Sequence, residues 1–329
     1  MSSEILRRQD SAAAAGSLTH AEIYQQPELW PTTLDRVAQR LDGPGLLQPN
    51  GCCIITGAGS SAYAAHAIEA AVPGARAVPS TDLLVDIAPY FAFGGTLLSL
   101  ARSGDSPESV AVIDRVKRLF PQVRHLAITC NAEGRLARLP GVTAIILDPR
   151  TNDRSLVMTS SFSNLVLAGL CLRHSREIAE VLPKLCERVK ENLGALEARA
   201  KAIAADRVNR VVVLASRPLM GWAQETSLKI LEMTAGRITV LAETYLGLRH
   251  GPMSFLRPDT LVVSLLSSDP RHRRYEEDLL DELRAKKLGR IIAIAGIASD
   301  DARRGPFRET VPAMAARRRE LTGGSVNSP

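Results

Sequence analysis

Three short apolar runs in the first half of the chain, at 53–56, 97–100 and 125–129, return in the second half at 211–215, 261–265 and 291–295. Pairing Ile54 with Val212, Leu98 with Val262 and Leu126 with Ile291 gives offsets of 158, 164 and 165 residues. Each run is strand-sized and ends in small or hydroxylated residues, and helical stretches at 62–71 and 109–120 follow the first two. A further strand is expected at 142–147. Strands alternating with helices of this length build parallel βαβ units, with helices on both faces of the sheet. The near-constant offset predicts a duplicated α/β domain, and 329 residues suffice for two ordinary cores.

The remaining segments fit around the two copies. From 20 to 41 the apolar positions Ile23, Leu29, Trp30, Leu34, Val37 and Leu41 predict helical segments, whereas polar, Ala/Ser-rich 1–18 is expected to be loose. Residues 163–205 read as one long helical region with heptad-like Leu182, Leu185, Val189, Leu193 and Leu196. The division is therefore a helical lead-in at 1–40, a first domain at 41–175, a connecting helix at 176–205, a second domain at 206–301 and a basic tail at 302–329. That tail holds Arg303, Arg304, Arg308, Arg317, Arg318 and Arg319 against Glu309 and Glu320, so it carries +4 of the net +6. The rest is close to neutral, and only 4% of residues are aromatic, which argues against a single-stranded nucleic-acid platform. The tail itself reads as an unfolded, solvated end. Five cysteines without CxxC or Cys/His metal spacing suit a reduced, cytoplasmic chain, with Cys52 and Cys53 together in a buried strand. No run of 18 apolar residues occurs, so neither export nor membrane insertion is expected.

In open parallel sheets, ligands sit beyond the carboxyl ends of strands, where loops feed helix N-termini. Gly57-Ala58-Gly59-Ser60-Ser61 allows close backbone approach to an anion, and the helix behind it offers free N–H groups. Arg102-Ser103-Gly104-Asp105-Ser106-Pro107-Glu108 repeats that design, with a proline suited to the first helical turn. Neither loop is a nucleotide fingerprint: the first lacks the third glycine of GxGxxG, and no GxxxxGK[ST] occurs. Hydroxyl-rich, lysine-poor loops suit one phosphate monoester, although either alone is equally an ordinary capped turn. Met158-Thr159-Ser160-Ser161-Phe162-Ser163 either completes the anion cup or caps the helix after it. In the second copy, Glu225, Lys229 and Glu232 stand at i, i+4 and i+7 on one helix face. They form a solvated ladder or, with apolar Leu228, Ile230 and Leu231 beside them, point one end into a cleft. His250 sits between Arg249 and Gly251-Pro252 in a constrained loop, the setting of a positioned proton carrier. His20, His66, His125, His174 and His272 lack such a context and are expected to be structural or at the surface.

In order along the chain, these loops together with Ile128-Thr129-Cys130-Asn131 and Leu248-Arg249-His250-Gly251-Pro252 resemble the AgaS-type SIS-domain family from about Glu22 to Asp300. That family comprises tagatose-6-phosphate ketose/aldose isomerases and galactosamine-6-phosphate deaminase/isomerases, and is related to the isomerase half of glucosamine-6-phosphate synthase. The resemblance implies two tandem SIS domains, flavodoxin-like and three-layer αβα, with parallel sheets. It implies that Ser61, Ser103, Ser106 and Ser160, with Ser60 and Gly104 beside them, hold the phosphate of a hexose or amino-hexose phosphate. Glu232 matches the glutamate that moves a proton between C1 and C2, and His250 the histidine that opens the ring. Neither cofactor nor metal is implied; a homodimer or homotetramer is, without nucleic-acid or membrane partners. Two departures stand out: Ala101 replaces a serine of the synthase, and after Asp301 the Arg-rich end offers no counterpart to that enzyme's C-terminal catalytic lysine. Two other readings stay open, a sugar-phosphate-binding regulator and an inactive, truncated paralogue. A regulator would need neither Glu232 nor His250.

Overall fold

All six recurring runs form strands, and they divide between two sheets. The computed structural model describes residues 3–41, 52–91, 94–206, 208–295 and 308–310, with backbone alone at 3–16 and 308–310. Helix α1 (Ser3–Leu41) leads in. The first sheet and its helices are β1 (Cys53–Thr56), α2 (Ser60–Glu69), β2 (Ala75–Ala77), α3 (Ser80–Val85), α4 (Ala88–Phe91), β3 (Thr96–Ala101), α5 (Pro107–Leu119), β4 (Arg124–Thr129), α6 (Arg135–Arg138) and β5 (Thr143–Ile146). Helix α7 (Ser160–Ala205) then runs to the second sheet. There follow β6 (Arg210–Ala215), α8 (Met220–Thr234), β7 (Thr239–Glu243), α9 (Tyr245–Leu248), β8 (Leu261–Leu266), α10 (Pro270–Ala285), β9 (Arg290–Ala295) and β10 (Arg308–Thr310).

The sheets are wound alike. The first has the order β2-β1-β3-β4-β5; the second, read from its β7 edge, is β7-β6-β8-β9-β10, and every pair is parallel. Central strands are apolar on both faces because helices cover both. Alternate residues serve opposite layers: Ile55, Leu98, Leu100, Leu126 and Ile128 pack under α2 and α7, whereas Ile54, Leu97, Ala101 and Ala127 face α5. In the second sheet Val212, Leu214 and Val262 meet α10, and Val211, Val213 and Ala215 meet α8. Three-layer αβα order is thus present twice.

Several expectations change. Residues 3–18, read as loose, continue the helix of 20–41, where the run Ala12–Ala15 carries the strongest helix propensity. Cys52 is exposed and precedes its strand; only Cys53 lies buried within β1. Edge strands β2 and β7 add to the expected set; they are short and partly exposed, without a full apolar signature in the sequence. Helix α7 starts at Ser160 rather than 163, with non-helical backbone at His174. Most of the basic tail lies outside the described residues, but Arg308–Thr310 pairs with β9 as a strand. No helix among the described residues is long and apolar enough to cross a membrane.

Candidate active site

Strands β1 and β3 are parallel neighbours, paired from Cys53–Thr96 to Thr56–Ser99, so their following loops leave the same sheet edge side by side. Ser60 and Ser61 open α2 and are 4% and 5% exposed. The N-cap of α2 is Gly59, which has no side chain to satisfy the first N–H groups. In the neighbouring loop, Gly104 adopts φ +73°, and a Cβ there would stand 3.2 Å from Leu136 Cβ and Thr129 Oγ1. Asn131 Nδ2 donates to the Ser103 carbonyl at 3.0 Å, bracing the loop against the end of β4. Ser106 caps α5 by accepting from Ser109 N and donates to Glu108 Oε2 at 2.8 Å, while Glu108 is held below the usual carboxylate range by its own backbone N–H and that hydroxyl.

The third hydroxyl cluster is organised differently. Asp153 accepts from the N–H groups of Thr159, Ser160 and Ser161 and from Ser161 Oγ, filling the N-terminus of α7 with a carboxylate of the protein itself. Burial pushes that carboxyl up against those hydrogen bonds. Ser160 is fully buried, donating its hydroxyl to the Glu22 carbonyl at 2.6 Å and accepting from Gln25 Nε2 at 2.8 Å. Thr33 Oγ1 donates to Asn164 Oδ1 and Trp30 Nε1 to Ser163 Oγ, so the cluster seams α1 to α7.

The second domain reaches the first through α8. Gly221 presses α8 against α2: a Cβ there would lie 2.5 Å from the Tyr63 carbonyl oxygen and 2.6 Å from Ala67 N. His66 Nδ1 meets Gln224 Oε1 at 2.7 Å, and Trp222 stands edge-on to Phe162 with centroids 5.1 Å apart. One turn further along, Lys229 Nζ donates to Ser60 Oγ at 3.0 Å and pairs with Glu225 at 3.2 Å and Glu232 at 2.6 Å. The Glu225 side chain is only 6% exposed, and neither of its oxygens has a well-aligned hydrogen bond among the described residues. Its burial raises its pKa, against the pull of Lys229 and Ser60. The Glu–Lys–Glu face is therefore a bridge between domains and not a solvated ladder.

Two contacts of one ammonium place Glu232 Oε2 at most 5.6 Å from Ser60 Oγ. Lys229 thus joins two residues that the resemblance assigns to one site; it lies within the i, i+4, i+7 pattern, but its partner is 169 residues away. His250 is exposed in the turn after α9, and among the described residues no hydrogen bond or ion pair links it to Glu232 or to the loop hydroxyls. Its neighbour Arg249 is clamped to α10 through Asp278 and Glu282, both at 2.7 Å. No group of three or more His, Cys, Asp or Glu that could hold a metal occurs among the described residues.

Two parallel sheets of one winding, with hydroxyl turns on the first and a Glu–Lys–Glu helix reaching them from the second, define a tandem SIS-domain protein. The comparisons narrow this. The D-galactosamine-6-phosphate deaminase AgaS of Escherichia coli is 36% identical over 319 residues, covering 90% of this chain and 82% of that one. The crystal structure of tagatose-6-phosphate ketose/aldose isomerase from Escherichia coli superposes with a TM-score of 0.81 at 34% identity, over 92% of this chain and 87% of that one. In fold alone, the C-terminal domain of glucosamine-fructose-6-phosphate aminotransferase from Francisella tularensis is also similar, with a TM-score of 0.70 at 17% identity over 87% of this chain and 85% of that one. No protein-family model matches the chain. The chain belongs to the AgaS-type SIS-domain family.

Proposed function

We propose that this protein interconverts or deaminates a hexose 6-phosphate of the galactosamine or tagatose type by proton transfer between C1 and C2. The Lys229 bridge carries this reading, because it sets the Glu232 carboxylate beside the loop that holds Ser60. Ser60, Ser61, Ser103, Gly104 and Ser106 surround the phosphate at the ends of β1 and β3. Ser160, with its hydroxyl engaged by Glu22 and Gln25, is left out of that set. Glu232 takes the C2 proton and returns it at C1 through an enediol or, with an amino sugar, an enolamine. In the deaminating version water replaces the amine, which leaves as ammonia. His250 opens the sugar ring by moving a proton between the ring oxygen and the anomeric hydroxyl.

The same reading divides the chain at 41–175 and 206–301, joined by 176–205. It holds the protein to be cytoplasmic, in keeping with its five free cysteines. It takes the assembly to be a homodimer or homotetramer, in which the exposed His250 turn is free to face a neighbouring copy. The test is incubation with galactosamine 6-phosphate, tagatose 6-phosphate and fructose 6-phosphate, following ammonia and ketose. Glu232→Gln should cost about 10²–10⁴-fold in turnover while leaving phosphosugar binding intact. Full activity in that variant removes the assigned base, and binding without turnover by the native protein makes it a phosphosugar sensor.

A further inference from the structure

Lys229 stands where the two halves of the site meet. An ammonium has three N–H donors, and three acceptors surround this one: Ser60 Oγ at 3.0 Å, Glu225 Oε1 at 3.2 Å and Glu232 Oε2 at 2.6 Å. Among the described residues its contact with Ser60 is a well-aligned hydrogen bond, while the two carboxylates hold the ammonium as ion-pair partners. The three partners are not equally bound to it. Ser60 is the buried first residue of α2, and Glu225 is buried one turn back on the same helix as Lys229, so both are held in place. Glu232 has the most exposed side chain of the three, at 28%, so a rotation can carry its Oε2, buried against the ammonium, toward solvent.

A phosphate dianion settling beside Ser60 brings two negative charges and several acceptor oxygens to within reach of the same ammonium. Charge-assisted bonds to such a group outweigh an ion pair with a single carboxylate. New bonds from Lys229 then come at the expense of an old one, and Glu232 is the partner that can be given up. We infer that Lys229 is a phosphate-responsive positioning residue, whose ammonium moves from Glu232 to the substrate phosphate and leaves that carboxylate free to take the C2 proton. This rests on the proposed function and adds to it a link between binding and chemistry. A carboxylate tied to an ammonium has its lone pair engaged and is a poor proton acceptor. The phosphate therefore acts on turnover as well as on affinity, the pattern expected when remote binding energy is spent at the reacting centre.

The experiment separates the sugar from its phosphate. Unphosphorylated galactosamine or tagatose is supplied with increasing inorganic phosphate, and ammonia or ketose is followed for the native protein, Lys229→Gln and Lys229→Arg. Free phosphate should accelerate turnover of the free sugar by the native protein about tenfold or more. Lys229→Gln should lose that acceleration, and Lys229→Arg should keep part of it. If Lys229→Gln alone melts early because Glu225 is left unpaired, the double variant Lys229→Gln/Glu225→Gln takes its place. Phosphate that only inhibits, undetectable turnover of the free sugar with phosphate present, or equal acceleration in Lys229→Gln each overturns the inference. Native protein inert toward whole sugar phosphates sinks the site reading together with the inference. Protein active on the whole substrate but indifferent to free phosphate sinks the inference alone.

Discussion

Replacing Gly221 by alanine asks whether α8 lies against α2 as closely as the structure has it. An interior helical glycine normally gains about 1 kcal/mol on becoming alanine. Here the new Cβ would stand 2.5 Å from the Tyr63 carbonyl oxygen, 2.6 Å from Ala67 N and 3.1 Å from Ala67 Cα, where ordinary contact begins at 3.4 Å. All three neighbours are backbone, so no side chain can swing aside, and the helices must part by close to about 0.9 Å. Overpacking of that kind costs about 1–3 kcal/mol, which outweighs the propensity gain. We expect Gly221→Ala to be net destabilised by about 1–2 kcal/mol in urea unfolding. Turnover should suffer more than stability, because displacing Glu232 and Lys229 from the Ser60 loop by nearly an ångström costs up to about 10²-fold. Gly194 supplies the control: it lies exposed within α7 with nothing within 4 Å of a new Cβ, and Gly194→Ala should gain about 0.5–1 kcal/mol. If Gly221→Ala gains as much as Gly194→Ala and keeps full activity, the close crossing, and with it the bridged site, is wrong.

Two further outcomes concern stability. His125 is 7% exposed, with neither ring nitrogen hydrogen-bonded among the described residues, and burial, with Lys117 adding to it, pushes its pKa down to about 4. Between pH 6.5 and 4 the unfolded chain therefore binds a proton that the folded one refuses. Stability should fall by up to roughly 3 kcal/mol as pH drops through that window. His125→Val should flatten that part of the profile in urea melts, and an unchanged slope would show that His125 titrates normally. Asp153→Ala leaves the Thr159, Ser160 and Ser161 N–H groups of α7 without their acceptor and should cost about 2–3 kcal/mol in a thermal or urea melt. A loss below about 0.5 kcal/mol would mean that water satisfies this helix end as well as the carboxylate does.

What the sequence disclosed depended on how local each signal was. Strands β1, β3, β4, β6, β8 and β9 are apolar enough to be recognised one at a time, and their spacing already pointed to two copies of one α/β unit. Ala75–Ala77 and Thr239–Glu243 lack that mark, because an edge strand needs only one well-covered side. Gly57 to Ser61 and Ser103 to Ser106 were legible as loops, since glycine and hydroxyl residues after a strand have few other uses. The partners of Ser160 and Lys229 were not. Glu22 lies 138 residues from Ser160, and Ser60 lies 169 from Lys229, so both pairings follow from how distant helices dock. Residues 225–232 illustrate the limit: period identified the shared face, but only the packing of α8 on α2 shows what that face meets.

The repeated sheet order hides a division of labour. The two sheets share one winding, yet one carries the turns suited to an anion and the other a helix rich in titratable side chains. On the proposed reading neither copy is a small version of the whole enzyme, for each holds what the other lacks. A half taken by itself would then carry either the anion turns or the Glu–Lys–Glu helix, and the chemistry would need both.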